Sequence, residues 1–248
     1  MKEKIYTAPL TEAFASADEC PFCVLERDTE QRAIRFALGP GASYMEPEIR
    51  GETNRLGFCT THSKKVFDYG NALGSALILQ TYFETLLEDF GPALENPEKP
   101  AKKPLFAKPK QEEPLWKKIE DRIGSCYLCD RVDYNMQRYY GTFFLMIKED
   151  EFRRKVESSK GFCLHHFAQL LRVAEEKLPG AQRDWFYASL FPLMRENLDR
   201  VKDDLDWLVA KYDYRNASAD WKNAKDALQR TIQKLQSGYV ADPPYSQR

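Results

Sequence analysis

Apolar side chains recur along this chain at steps of three and four and never in sustained alternation, so the sequence predicts an all-α protein. Residues 1–19 read as a lead-in, with Asp18 placed to cap the next helix. Phe22, Leu25, Ala33 and Phe36 then predict one side of a helix from about Pro21 to Ala37. Pro21 suits a first turn, where its missing N–H has no intrahelical acceptor to lose, and Gly39-Pro40-Gly41 ends the helix. A short helix is expected through Ile49 and Thr53. Beyond residue 62, Val66, Tyr69, Leu73, Leu77, Gln80, Phe83 and Leu87 predict one continuous helix. Gly70 and Gly74 fall inside it, each weakening it by about 1 kcal/mol relative to Ala, and read as sites of close helix crossing.

The second half follows the same plan. Val132, Met136, Tyr139, Phe143 and Met146 stripe a helix from about Cys129 to Ile147, and Phe152 and Val156 mark a short one. Phe167, Leu170, Leu171 and Ala174 line another that stops at Pro179-Gly180. Two further helices have no counterpart in the first half. One is long, through Phe186, Leu190, Leu193, Leu198, Val201, Leu205, Leu208 and Tyr212, with a kink expected at Pro192. The last carries Trp221, Ala224, Leu228, Ile232 and Leu235, between a Ser218 cap and a Gly238 stop.

Between the halves, residues 91–114 hold six of the chain's 14 prolines among lysines and glutamates. Such a composition neither propagates a helix nor buries a core, so it reads as an extended spacer. The expected organisation is a first helical repeat over 1–90, the linker over 91–114, and a second repeat over 115–248 with its extra C-terminal helices.

The chemistry sits in a duplicated motif. Gly57-Phe58-Cys59-Thr60-Thr61-His62 is echoed by Gly161-Phe162-Cys163-Leu164-His165-His166. A Cys-x-x-Cys pair precedes each copy, Cys20/Cys23 and Cys126/Cys129, so that all six cysteines and three histidines fall within the repeated pattern. The two Cys-x-x-Cys pairs are offset by 106 positions, and Cys59/Cys163 and His62/His166 by 104, which argues for an internal duplication.

Three thiolates and an imidazole make a closed tetrahedral set for Zn²⁺. The candidate ligands are Cys20, Cys23, Cys59 and His62 for one ion, and Cys126, Cys129, Cys163 and His166 for the other. Register favours His166, with His165 as its alternative. Within each set, 35 and 33 residues separate the cysteine pair from the Cys-x-x-His turn, so each ion would clamp two distant helix starts. Helix N-termini favour the negative charge that three thiolates leave on such a site.

Other chemistries remain in view. An iron–sulfur centre usually takes four cysteines, although histidine can substitute. Cys20-Pro21-Phe22-Cys23 alone resembles a thiol–disulfide active site, but that motif belongs after a strand, and Cys126-Tyr127-Leu128-Cys129 lacks the proline. Covalent haem is excluded because Val24 and Asp130 stand where a histidine is needed.

Composition narrows the picture further. With 37 basic and 38 acidic residues the formal net charge is -1, without the basic excess of a nucleic-acid binder. Residues 1–9 show no apolar leader, and the runs Ala76–Leu79 and Phe143–Ile147 are too short to span a bilayer. A reducing cytoplasmic setting is therefore expected, in which paired cysteines serve as metal ligands rather than disulfides.

The Cys-Pro-Phe-Cys at 20–23, Ser43-Tyr44-Met45-Glu46, Glu52-Thr53-Asn54, the two Gly-Phe-Cys turns, Asp213-Tyr214-Arg215-Asn216 and Gln233-Lys234-Leu235 together resemble an uncharacterised bacterial family, a domain of unknown function. The resemblance covers nearly the whole chain and implies no activity.

The residues support two function classes. One is a non-enzymatic binding or scaffold protein, with two structural zinc ions and a protein or small-molecule partner. It is favoured by closed sites and by the lack of any Ser/His/Asp, Walker or dinucleotide motif. The other is an enzyme or ligand-binding protein with a pocket between the halves, sought among Trp185, Trp207, Trp221, Tyr212, Tyr214 and Arg215.

Overall fold

In the computed structural model, which describes residues 4–97 and 113–247, the chain forms eleven α-helices and three short 3-10 turns. No strand occurs among the described residues, so the chain is all-α. The helices are α1 (Lys4–Ala15), α2 (Pro21–Leu38), α3 (Pro47–Leu56), α4 (Thr60–Tyr69), α5 (Ala72–Glu95), α6 (Leu115–Gly124), α7 (Tyr127–Met146), α8 (Asp150–Glu157), α9 (Leu164–Lys177), α10 (Gly180–Ala210) and α11 (Ala227–Gln236).

The described chain divides into two compact units whose boundaries fall inside α2 and α7. The first comprises Met1–Thr29 with Tyr134–Pro243, and the second Glu30–Asp133 with Pro244–Arg248. These units do not coincide with the sequence halves 1–90 and 115–248.

The first unit is built on aromatic packing. Phe14, Phe22, Phe143, Phe152 and Phe162 form one cluster with ring centroids 5.2–6.4 Å apart. Burying one such side chain contributes about 1.5–3 kcal/mol. Phe22 lies between Cys20 and Cys23, and Phe162 directly precedes Cys163, so the apolar core and the candidate ligands are held by the same turns. Helices α9 and α10 pack on α11, and α1 on α8. In the second unit α3 packs along α5, and Ile34, Leu38, Tyr69, Ile78, Tyr127 and Leu128 form the buried centre.

Several elements differ from the expectations. Residues 4–15 form α1, which runs through Pro9 and buries Leu10, Ala13 and Phe14. The single helix expected beyond residue 62 is two, because Gly70 takes φ +87° and ends α4 while the Asn71 side chain accepts from Gly74 N–H and caps α5. Local capping chemistry thus overrides an uninterrupted apolar period. Close approach at Gly74 is real, but its neighbours are Asn71 and the Tyr44 ring; an added Cβ would lie 3.0 Å from Tyr44 Cε1. Helix α5 continues through Pro92 to Glu95, the start of the expected linker, whose residues 98–112 lie outside the described ones. Helix α10, expected to be long, spans Gly180–Ala210 with Pro192 inside it. The last helix begins at Ala227 rather than after Ser218, and its buried face is Ala227, Gln233 and Lys234, with Leu228 and Leu235 exposed.

Candidate metal centres

Each duplicated motif forms a helix start. Cys20, Cys59, Cys126 and Cys163 each stand immediately before the first residue of α2, α4, α7 and α9. Cys-x-x-Cys and Cys-x-x-His place a second sulfur or an imidazole one turn later, on the same side of the helix. The Gly before each Phe-Cys has a left-handed backbone, φ +59° at Gly57 and +71° at Gly161. A Cβ at Gly57 would lie 2.7 Å from the Tyr82 ring, and one at Gly161 would lie 3.2 Å from Met194 Sδ. Only glycine meets both demands at residue 57.

The eight predicted ligands come together in two groups, but their pairing is exchanged relative to the sequence expectation. Cys20 and Cys23 meet Cys163 and His166 in the first unit; Cys59 and His62 meet Cys126 and Cys129 in the second. Each group takes its cysteine pair from one copy of the motif and its Cys-x-x-His turn from the other. The nearer partner in sequence is not the partner in space, because packing around the aromatic cluster brings residues 140 positions apart, Cys23 and Cys163, to 3.7 Å. His166 faces the sulfurs; His165 is exposed, its ring 5.2 Å from that of His166.

The spacing within each group fits a tetrahedral ion. Zinc–sulfur bonds of about 2.3 Å and zinc–nitrogen bonds of about 2.0 Å imply tetrahedron edges of about 3.8 Å between sulfurs and about 3.5 Å between sulfur and nitrogen. The structure has Cys23 Sγ to Cys163 Sγ at 3.7 Å and Cys59 Sγ to Cys129 Sγ at 3.8 Å. His62 Nδ1 lies 3.3 Å from each of Cys59, Cys126 and Cys129. His166 Nδ1 lies 3.5, 3.5 and 3.1 Å from Cys20, Cys23 and Cys163. One imidazole nitrogen carries at most one proton and cannot bond three sulfurs equally, whereas a vertex shared around a cation satisfies all four atoms. No disulfide is formed. Both groups could hold a metal ion.

Their electrostatics point the same way. Hydrogen bonds from Cys20 and Cys23 draw the Cys163 thiol down to about 4, while burial pushes Cys20 well up. In the second group burial acts against charge, but the His62 contact still brings Cys126 down to about 6, and Cys129 is pushed up by burial and by Cys126. Burial likewise opposes His62 protonation, yet Cys126 and Glu30 raise it to about 10. Close-packed thiols cannot all ionise without a cation between them.

Carboxylates that the motif did not reveal complete both groups. His62 Nε2 lies 3.1 Å from Glu30 Oε1, and Lys65 Nζ donates to Glu30 at 2.5 Å. His166 Nε2 lies 3.5 Å from Glu26 Oε2 without a hydrogen bond, and that oxygen accepts from Ser237 Oγ at 3.1 Å. Glu26 and Glu30 are four residues apart on α2, a spacing with no motif signature.

The C-terminal addition supports the first group. Gln233 Nε2 donates to Asp18 at 2.6 Å, and buried Lys234 Nζ donates to the carbonyls of Glu19 at 2.6 Å and Lys160 at 2.5 Å. Those carbonyls flank the two ligand-bearing turns, so α11 ties them together. The Asp18 carboxylate accepts from Cys20 N–H at 3.0 Å.

Of the side chains considered for a pocket, Trp221 lies under the Lys211 ammonium. Tyr212 and Tyr214 are exposed, Arg215 pairs with Asp213, and Trp185 and Trp207 donate to Glu157 and to the Asp220 carbonyl.

The sequence matches, over residues 1–242, the family described as a family of unknown function, DUF6062. The chain belongs to that family. No curated protein and no solved structure matches it. For this DUF6062 member, then, the two Cys/His groups are the chemistry to be explained. No helix among its described residues is long and apolar enough to cross a membrane.

Proposed function

We propose that Cys20, Cys23, Cys163 and His166 hold one zinc ion, that Cys59, His62, Cys126 and Cys129 hold a second, and that both are structural. The protein is then a non-enzymatic, cytoplasmic binding or scaffold protein whose helices are set by its metals. The observation that carries this reading is His62 Nδ1, equidistant at 3.3 Å from three sulfurs. Four protein ligands leave no position for water or substrate, which separates structural from catalytic zinc. Zinc would supply positive charge at the centre of each thiolate set. The chain supplies four helix N-termini, backbone N–H groups and two carboxylates, Glu30 orienting the His62 imidazole and Glu26 standing 3.5 Å from His166 Nε2.

Elemental analysis and an anaerobic absorbance spectrum test this on protein purified without chelator or added metal. Two equivalents of zinc and no visible band are expected. Iron with a visible band would replace the reading with a redox function.

A further inference from the structure

Beside the first Cys/His group, with Glu19 and Lys160 of the ligand-bearing turns in its lining, lies an open cleft of about 480 Å³. Its lining has five cationic side chains and three carboxylates, an excess of two positive charges. The carboxylates are already engaged. Arg230 donates to Asp204 at 2.9 Å through Nη1 and to Asp226 at 2.9 Å through Nε, and Arg200 donates to Glu19 Oε2 at 2.5 Å. The three lysines are held more loosely, by an ion pair or a ring contact at most. Among the described residues, none of the Lys160, Lys222 and Lys225 ammonium groups donates a hydrogen bond; Lys160 stands 3.8 Å from Glu19 Oε1, and Lys222 lies over the Trp207 ring. Lys222 is also held in a left-handed backbone conformation, φ +49°, which a non-glycine residue adopts at a cost.

One acceptor in the cleft wall is ion-paired but receives no hydrogen bond. Glu19 is 2% exposed, and its Oε1 has no hydrogen-bond donor, with Arg230 Nη1 at 3.7 Å and Lys160 Nζ at 3.8 Å, while Lys234 Nζ stands 3.3 Å from Oε2. Buried polar atoms are nearly always hydrogen-bonded, so an orphan oxygen in a cleft wall marks a position for a ligand donor.

We propose that this cleft binds a small hydroxylated phosphate monoester. Its phosphate would meet Lys160, Lys222 and Lys225, and a hydroxyl would donate to Glu19 Oε1. A monoester carries a charge of about -1.5 to -2 at neutral pH and three terminal oxygens, one for each of the three ammonium groups. The cleft is too large for phosphate alone and falls in the range of about 300–1,000 Å³ typical of small-ligand sites. The proposal does not depend on zinc occupancy.

Calorimetric titration of the full-length, metal-loaded protein tests it, with ribose 5-phosphate, inorganic phosphate and ribose as separate ligands. Metal content is measured on the same samples, so loss of the cleft ligand and loss of the metals are told apart. Saturable binding of ribose 5-phosphate is expected, about tenfold tighter than inorganic phosphate, with none for ribose. The double variant Lys222→Gln/Lys225→Gln, altered at two exposed positions, should keep its metal and helicity but bind at least about tenfold more weakly. No saturable binding of ribose 5-phosphate overturns the proposal. So does unchanged affinity in the double variant, or inorganic phosphate binding as tightly as the ester.

Discussion

Glu30 Oε1 lies 3.1 Å from His62 Nε2, on the opposite side of the ring from the nitrogen that faces three sulfurs. A carboxylate there fixes which imidazole nitrogen is free to coordinate and strengthens it as a ligand. Lys65 anchors that carboxylate from outside. Glu30→Gln should therefore weaken zinc at the second group by about 10–100-fold and leave the first unchanged. Competition against a chromophoric chelator measures both affinities. Equal weakening at both groups would show that the substitution acts through general instability.

The exchanged pairing makes a sharper demand. Cys20→Ser/Cys163→Ser removes two ligands from one group, so the double variant should lose one equivalent of zinc, as each single variant does. Cys20→Ser/Cys59→Ser should lose both. Pairing within each half of the sequence predicts that the second double variant loses only one, and metal content alone decides between them.

The groups also differ in access. All four ligands of the first are buried, whereas Cys59 and Cys129 of the second are half-buried. Chelator should strip zinc in two phases, the faster from the second group, and Cys59→Ser should abolish the fast phase. Structural zinc contributes apparent free energies of about 10–16 kcal/mol in finger peptides, against about 5–15 kcal/mol net for a whole domain. Helical circular dichroism should therefore fall as the metal leaves.

Zinc uptake should release protons. In the metal-free second group the His62 ring titrates at about 10 and Cys126 at about 6, so the imidazolium–thiolate pair persists between those values. Above an unfolded thiol value near 9, the Cys126 contribution to stability is complete, and it is lost as pH falls through about 6. The His62 contribution has the opposite sign, complete below about 6.5 and lost as pH rises through about 10. A metal ion must displace the proton of His62, and that of Cys129, whose titration burial raises. Affinity should thus climb with pH across the neutral range, and an unbuffered indicator dye should record acidification on zinc addition.

Lys234 is 1% exposed, and its ammonium joins the turns before Cys20 and before Cys163. Lys234→Met keeps the stem but leaves the buried Glu19 carbonyl and the part-buried Lys160 carbonyl without their donor, and removes a partner of the Glu19 carboxylate, 3.3 Å away. A loss of about 3–5 kcal/mol is expected from urea unfolding of the metal-loaded protein. A loss below about 1 kcal/mol would show that α11 does not hold these turns through this lysine.

Period and composition by themselves determined that this chain is helical, that it carries a twice-repeated thiol–imidazole motif, and that the eight side chains of that motif begin helices. Those are local properties, set by apolar spacing and by residue types that suit a helix start. Tertiary structure alone decided which cysteine pair meets which Cys-x-x-His turn, because burying Phe22 and Phe162 in one aromatic cluster brings together turns remote along the chain. It also decided that Glu26 and Glu30 stand behind the histidines and that Lys234 lies beneath the first group. A glutamate on a helix or a lysine in an amphipathic stretch has the sequence signature of a solvated side chain; only the surfaces packed against it determine whether its charge meets water or a buried partner.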